Sequence, residues 1–114
     1  MDFLFDGLIV GDKALDLGCG NGRFYNEFVS RGAEYWGVDS CQKLIEIAQT
    51  KYPEANLGVA SAFDLPFAAE SFDKIYSIAV FYRETGAHQY FSAINYLVSF
   101  RNMLGYLACI GENL

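Results

Sequence analysis

An acidic residue and three glycines, close together in the chain, are the strongest candidates for a chemical role. The stretch contains Asp16, Gly18, Cys19, Gly20, Asn21 and Gly22. Glycine adopts positive φ angles readily, and because it has no Cβ it lets a ligand lie directly against the backbone. Glycines at alternate positions after an apolar run therefore predict a ligand-binding loop.

A second acidic residue follows at a spacing that suits the same ligand. The apolar run YWGV at 35–38 leads into Asp39, which comes about 20 residues after Gly18. A carboxylate at this spacing accepts hydrogen bonds from both ribose hydroxyls of an adenosine group. The two acids and the glycines together predict a site for a nucleoside-like cofactor.

Alternating strands and helices are needed to bring these residues together. The predicted strands are Lys13–Leu17, 35–39, 56–60 and 71–81, and the predicted helices are 23–31, ended by Gly32, and a second one capped by Ser40. Strands that alternate with helices are typical of a parallel sheet, whose ligands bind at the carboxyl ends of the strands. The glycine loop and Asp39 both follow strands, so we expect them at one edge of the sheet.

The composition limits the class of protein. With 114 residues the chain forms one domain, 1–114, and its 53% hydrophobic residues and mean hydropathy of +0.14 exclude a disordered chain. Its net charge of −6 provides no basic surface for nucleic acid. No secretory signal or membrane segment is predicted.

The cysteines predict neither a disulfide framework nor a metal site. Cys19, Cys41 and Cys109 are odd in number and far apart, without the C-x-x-C spacing of zinc ligands. The expected location is therefore a reducing cytoplasm.

Three stretches resemble class I S-adenosylmethionine-dependent methyltransferases. Asp16 followed by alternate glycines is similar to their motif I, and the sequence LPF at 65–67 and FDKIYS at 72–77 are similar to two later motifs. The resemblance is to the type 11, UbiE-like group, and within it the sequence is most similar to the methyltransferases of carboxymethylated wobble uridines in tRNA. Ser61 stands where that family usually has an acid.

The resemblance implies an α/β fold, a Rossmann-like doubly wound, mostly parallel sheet with strand order 3-2-1-4-5. The matched motifs cover 13–83, whereas 84–114 diverge from the family. In that part we predict a helix at 86–103 and a fifth strand at 105–111. Truncation relative to the seven-stranded fold, or a shifted reading frame after about Phe81, explains this divergence.

The resemblance also assigns roles to individual residues. Asp16 orients the glycine loop and the methionine amino group, Asp39 receives the ribose hydroxyls, and Ser40 is a further cofactor-binding residue. The adenine is bordered by Ser61, Ala62 and Phe63, with Asp64 as an alternative to Ser61 as its polar partner. Ser77 borders the methyl group, and Tyr82 and Arg83 are the candidates on the substrate side.

The function implied is methyl transfer from S-adenosylmethionine to an unidentified acceptor, either a small molecule or a tRNA base. Two alternatives remain open at this point. One is a non-catalytic cofactor-binding fragment of a methyltransferase. The other is a nicotinamide-dependent oxidoreductase, although Arg23 occupies the third glycine position of the G-x-G-x-x-G pattern that such enzymes use. The sequence leaves the oligomeric state open.

Overall fold

The structure, a computed structural model, describes residues 5–61 and 64–77. Its four strands are β1 (Lys13–Leu17), β2 (Glu34–Asp39), β3 (Asn56–Val59) and β4 (Lys74–Tyr76), and its helices are α1 (Tyr25–Val29) and α2 (Gln42–Lys51). All strand pairs are parallel, in the order β3-β2-β1-β4. This confirms the predicted Rossmann-like α/β fold and the order of its first four strands. The predictions for 86–103 and 105–111 lie outside the described residues.

Strand β1 lies between β2 and β4 and buries apolar side chains on both of its faces. Ala14, Leu15 and Leu17 are buried, as expected for a parallel strand with neighbours on both sides. In the register, Asp16 pairs with Gly37 of β2 and with Tyr76 of β4. The carboxyl ends of these three strands therefore lie side by side.

Aromatic side chains fill the core between the sheet and α1. Phe28 of α1 packs edge-on against Tyr35 and Tyr76, with ring centroids 5.0 and 5.4 Å apart, and Phe5 covers both Phe28 and Tyr76. Edge-to-face contacts of this kind add to the free energy gained by burial of the rings. The core fixes α1 against β2 and β4, the two neighbours of the strand that leads into the glycine loop.

The observed helix α1 is shorter than the predicted helix 23–31. Phe24 has a ψ of 4° and does not extend the helix, and the residues after Val29 form turns closed by i to i+3 hydrogen bonds such as Gly32 N to Val29 O. Gly32 has a φ of +80°, which ends the helical segment as predicted. Neither helix of the described part has the length and apolar character to span a membrane.

Two predicted strands are also shorter in the structure. β3 ends at Val59 instead of residue 60, although Ala60 N still donates to Asp39 O. β4 begins at Lys74 instead of residue 71, because the preceding residues form a turn in which Glu70 has a φ of 55°. Residues 78–81 of this predicted strand lie outside the described residues.

At the amino ends of the strands, charged groups tie β1 to β4. Lys74 Nζ lies 2.8 Å from Asp12 Oδ2, and both side chains are largely buried. Asp73 uses Oδ2 to accept from Lys13 N at 2.9 Å, while its own amide donates to Lys13 O. These contacts stabilise the end of the sheet opposite the glycine loop.

Candidate cofactor-binding site

The three glycines of the loop have backbone angles that other residues avoid. Gly18, Gly20 and Gly22 have φ angles of 79°, 58° and 86°. Within the part of the chain that the structure describes, and apart from the chain neighbours of Gly20, no atom would lie within 4 Å of a Cβ on Gly20, whereas a Cβ on Gly22 would lie 3.0 Å from the ring of Tyr52. Gly20 therefore faces space suited to a ligand, and Gly22 allows the loop to approach α2.

Backbone hydrogen bonds hold the loop on the end of β2. The amides of Gly18 and Cys19 both donate to Val38 O, at 2.8 and 2.9 Å, and Gly22 N donates to Cys19 O at 3.0 Å. Cys19 is buried, and its burial, followed by the charge of Asp16, raises the thiol pKa to about 12. The Cys19 thiol is therefore neutral, and the residue contributes through its backbone.

Asp39 joins the glycine loop to the start of α2. Its Oδ2 accepts from Gly20 N at 2.9 Å, and its Oδ1 accepts from Cys41 N at 2.8 Å. The prediction that Ser40 caps α2 is wrong: the N-cap residue is Cys41, and the carboxylate of Asp39 receives the amide at this turn instead. A carboxylate offers about four acceptor positions, so two remain for hydroxyl donors after these two contacts.

Asp16 lies beneath the loop, with 1% of its surface exposed. The hydroxyl of Tyr35 donates to its Oδ2 at 2.8 Å. Burial raises the pKa of Asp16 to about 7, while the hydrogen bond from Tyr35 and the charge of Arg23 act in the opposite direction. Asp39 accepts a hydrogen bond from the loop, and Asp16 is a buried carboxyl group close to the loop.

The remaining predicted site residues fall into two groups. Ser61 is exposed, and Asp64 N donates to Ser61 O at 3.1 Å, which brings Asp64 beside it. Ser77 is buried and directly follows Tyr76, which pairs with Asp16, so it lies at the same edge of the sheet. Outside the described residues lie Ala62, Phe63, Tyr82 and Arg83.

Sequence reasoning missed Tyr35 as part of this site. It appeared only as an apolar strand residue, but its ring crosses the face of Gly37 and its hydroxyl reaches Asp16. A buried tyrosine usually directs its hydroxyl to a polar partner. No local pattern in the sequence identifies this contact, because it depends on the register that pairs Asp16 with Gly37.

A parallel sheet with a glycine loop after β1 and a carboxylate at the end of β2 is the arrangement of Rossmann-like domains that bind nucleoside cofactors. A family model described as a methyltransferase domain matches residues 15–98. The chain therefore belongs to this methyltransferase family.

Individual relatives agree with this assignment. The chain is 33% identical over 90 residues to the tRNA (carboxymethyluridine(34)-5-O)-methyltransferase of Saccharomyces cerevisiae, covering 79% of the chain and 32% of that protein. It is 38% identical over 69 residues to the biotin biosynthesis bifunctional protein BioHC of Cellvibrio japonicus, covering 60% of the chain and 14% of that protein. The chain thus spans a third or less of these curated relatives.

A solved S-adenosylmethionine-dependent methyltransferase from Mesorhizobium loti superposes with a TM-score of 0.69 at 29% identity, over 81% of the chain and 44% of that protein. S-adenosylmethionine, the cofactor assigned from sequence, is thereby confirmed for this family. The comparisons favour this cofactor over a nicotinamide. The open space over Gly20 and the two remaining acceptor positions of Asp39 fit its adenosine end.

Proposed function

We propose that this chain binds S-adenosylmethionine at the carboxyl edge of its sheet and takes part in methyl transfer to an acceptor. The observation that carries this proposal is the 2.9 Å hydrogen bond from Gly20 N to Asp39. It holds the ribose acceptor and the open position of the glycine loop in one rigid unit. A ligand that meets both would place hydroxyl groups, such as those of a ribose, at Asp39 and an adjoining group against bare backbone.

Each residue of the site contributes to binding and orientation. The cofactor supplies a methyl group already activated on a sulfonium. Asp39 holds the ribose hydroxyls, Gly20 admits the ligand against the backbone, and Asp16 contributes negative charge near the methionine end. Orientation of this kind supplies about 7 to 11 kcal/mol of a barrier when the reacting groups are held in line. No dedicated base is required for an acceptor that is already nucleophilic.

The acceptor is either a small molecule or a tRNA base. The similarity to a tRNA methyltransferase favours the base, whereas the net charge of −6 favours a small molecule, because RNA phosphates are usually met by clustered lysines and arginines. Tyr82 and Arg83 remain the proposed substrate-side residues.

We place this function in a reducing compartment, the cytoplasm. Cys19 and Cys41 are both free thiols, and Cys41 is exposed. An exposed free thiol next to a cofactor site is best preserved where disulfides do not form.

The first experiment is calorimetric titration of the purified chain with S-adenosylhomocysteine, with NAD as the control ligand and circular dichroism to verify folding. We expect saturable binding of S-adenosylhomocysteine at a molar ratio near one and no binding of NAD. A folded chain that binds NAD and not S-adenosylhomocysteine would overturn the proposal.

The second experiment separates binding from transfer. The chain is incubated with methyl-labelled S-adenosylmethionine and either unmodified and carboxymethylated tRNA or a small-molecule fraction, and incorporation of label is counted. Label in one pool identifies the acceptor class. Binding without label in either pool would favour the alternative of a non-catalytic cofactor-binding domain.

A further inference from the structure

We propose that Tyr35 is a positioning residue for the cofactor, because its hydroxyl holds Asp16 as the charged partner of the ligand's ammonium group. This inference rests on the proposed function. It assigns to a strand residue outside the motifs the task of maintaining the charge beneath the glycine loop.

The geometry places the tyrosine across two strands. Tyr35 pairs with Ala14 in the register, and Asp16 pairs with Gly37, so the phenol runs along the sheet from one pair to the next. A Cβ on Gly37 would lie 2.7 Å from the Tyr35 hydroxyl oxygen. The absence of a side chain at Gly37 is therefore what allows this hydroxyl to reach Asp16 Oδ2 at 2.8 Å.

The hydrogen bond between Tyr35 and Asp16 is buried, and it involves only the Oδ2 atom of the Asp16 carboxylate. Tyr35 is 4% exposed and Asp16 is 1% exposed. A hydrogen bond to a buried carboxylate stabilises its charged form, and a nearby positive charge does the same. An ammonium group bound at the glycine loop therefore gains more from Asp16 when Asp16 has lost its proton.

The charge of Asp16 changes within the ordinary pH range. Burial raises its pKa to about 7, and the Tyr35 hydrogen bond and Arg23 restrain this rise. The ionisable groups that face it are Tyr35 and Asp39 from β2, Cys19 and Arg23 from the loop, and Tyr76 from β4. Burial and the charge of Asp16 raise the pKa of Tyr35 as well, so the phenol stays protonated and remains a donor.

The test is the pH dependence of ligand affinity from pH 5.5 to 8.5. In the wild-type chain we expect S-adenosylhomocysteine to bind more tightly as the pH rises through about 7 and Asp16 loses its proton. 5′-Methylthioadenosine, which has no amino acid end, should bind with no such dependence. In Asp16→Asn the midpoint near pH 7 in the binding of S-adenosylhomocysteine should disappear, and any pH dependence that remains in this variant reports titration of the ligand itself.

Removal of the hydroxyl should move the midpoint in a known direction. In Tyr35→Phe the carboxylate loses a donor, so the midpoint for S-adenosylhomocysteine should rise by about one pH unit, with affinity near pH 7 about fivefold lower because a smaller fraction of Asp16 is deprotonated. The loss should be recovered at higher pH. Carbon-13 NMR titration of the Asp16 carboxyl should show the same upward movement, which a general loosening of the core does not produce.

Two further variants keep the test decisive. Tyr25→Phe removes a hydroxyl from the ring that packs against Tyr35 at 5.0 Å, and it should leave the midpoint unchanged. Gly37→Ala keeps the phenol but displaces its oxygen from Asp16, so it should raise the midpoint of the pH dependence as Tyr35→Phe does. It provides the measurement if Tyr35→Phe does not fold.

The outcomes separate this inference from the proposed function. If the wild-type chain binds neither S-adenosylhomocysteine nor 5′-methylthioadenosine, the proposed function is wrong. If both ligands bind but the midpoint is the same in wild type, Tyr35→Phe and Gly37→Ala, the role of Tyr35 is wrong while the proposed function stands. The same conclusion follows if Asp16→Asn retains the wild-type pH profile.

Discussion

The two ends of the parallel sheet use aspartates in different ways. At the amino end, Asp12 forms a 2.8 Å ion pair with Lys74, and both groups are largely buried. At the carboxyl end, Asp16 accepts from the neutral hydroxyl of Tyr35, and Asp39 accepts from two neutral backbone amides. The first arrangement satisfies a charge within the protein, and the second orients a charge while leaving acceptor positions for a ligand.

The comparison explains how one short domain combines stability with binding. A lysine beside Asp39 would compete with the ribose hydroxyls, whereas backbone amides orient the carboxylate without neutralising it. The amino end has no such constraint, so it carries the ion pair that fixes β4 to the segment before β1. We therefore expect substitutions at the amino end to reduce stability and substitutions at the carboxyl end to reduce binding.

The largest effect is expected from valine at Gly20. A β-branched residue is strongly disfavoured at a φ of +58°, and its side chain would fill the open space over the loop. Gly20→Val should abolish detectable S-adenosylhomocysteine binding in calorimetry while circular dichroism shows that the sheet remains.

Gly11→Val is the matched control for this variant. Gly11 also has a positive φ, +88°, with open space around its Cβ position, but it lies at the amino end. It should reduce stability by about 1 to 2 kcal/mol and leave the affinity of the folded protein unchanged. Binding by Gly20→Val at wild-type affinity would show that the loop has only a structural role.

The next effect concerns stability. Lys74→Met leaves the carboxylate of Asp12 buried without its ion-pair partner, and the free energy of unfolding should fall by about 3 kcal/mol. Urea denaturation measures this loss. Lys43→Met, which removes an exposed lysine from α2, is the control and should change stability by less than about 0.5 kcal/mol. Loss of cofactor affinity in folded Lys74→Met would contradict the expectation that the amino end of the sheet affects stability and not binding.

The smallest of these effects is expected at Asp39. Asp39→Ala removes the ribose acceptor and the partner of two amides, and it should weaken S-adenosylhomocysteine binding by about 1.5 to 3 kcal/mol. Asp73→Ala is the control, because it removes a carboxylate that accepts the Lys13 amide at the amino end. That variant should keep its affinity. If the two variants lost the same amount of affinity for S-adenosylhomocysteine, the effect would come from a general loss of stability and not from a contact between Asp39 and the ligand.

The sequence predicted the part of the fold that depends on local patterns. The strand Lys13–Leu17, the glycine loop and the position of Asp39 are confirmed, because buried strands and alternate glycines leave clear signals in the chain. The length of α1 and the cap of α2 were predicted wrongly. Those features depend on turn hydrogen bonds and on a carboxylate that reaches forward from Asp39, which residue preferences do not reveal.

The contact between Tyr35 and Asp16 was beyond local reasoning for a different reason. The two residues are 19 positions apart, and their contact depends on the register that pairs Asp16 with Gly37. A shift of one residue in that register would turn the tyrosine to the other face of the sheet. Motifs therefore located the site, but the partners of its acids required the assembled sheet.

The most direct test of this account is a titration of the isotopically labelled chain with S-adenosylhomocysteine, followed by amide NMR spectra. The account predicts that the amide signals of Gly20 and Cys41, which donate to Asp39, shift with the ligand, while those of Gly11 and Lys13 at the amino end stay in place. Shifts concentrated at Gly11 and Lys13, or saturable binding that leaves Gly20 and Cys41 unchanged, would contradict it.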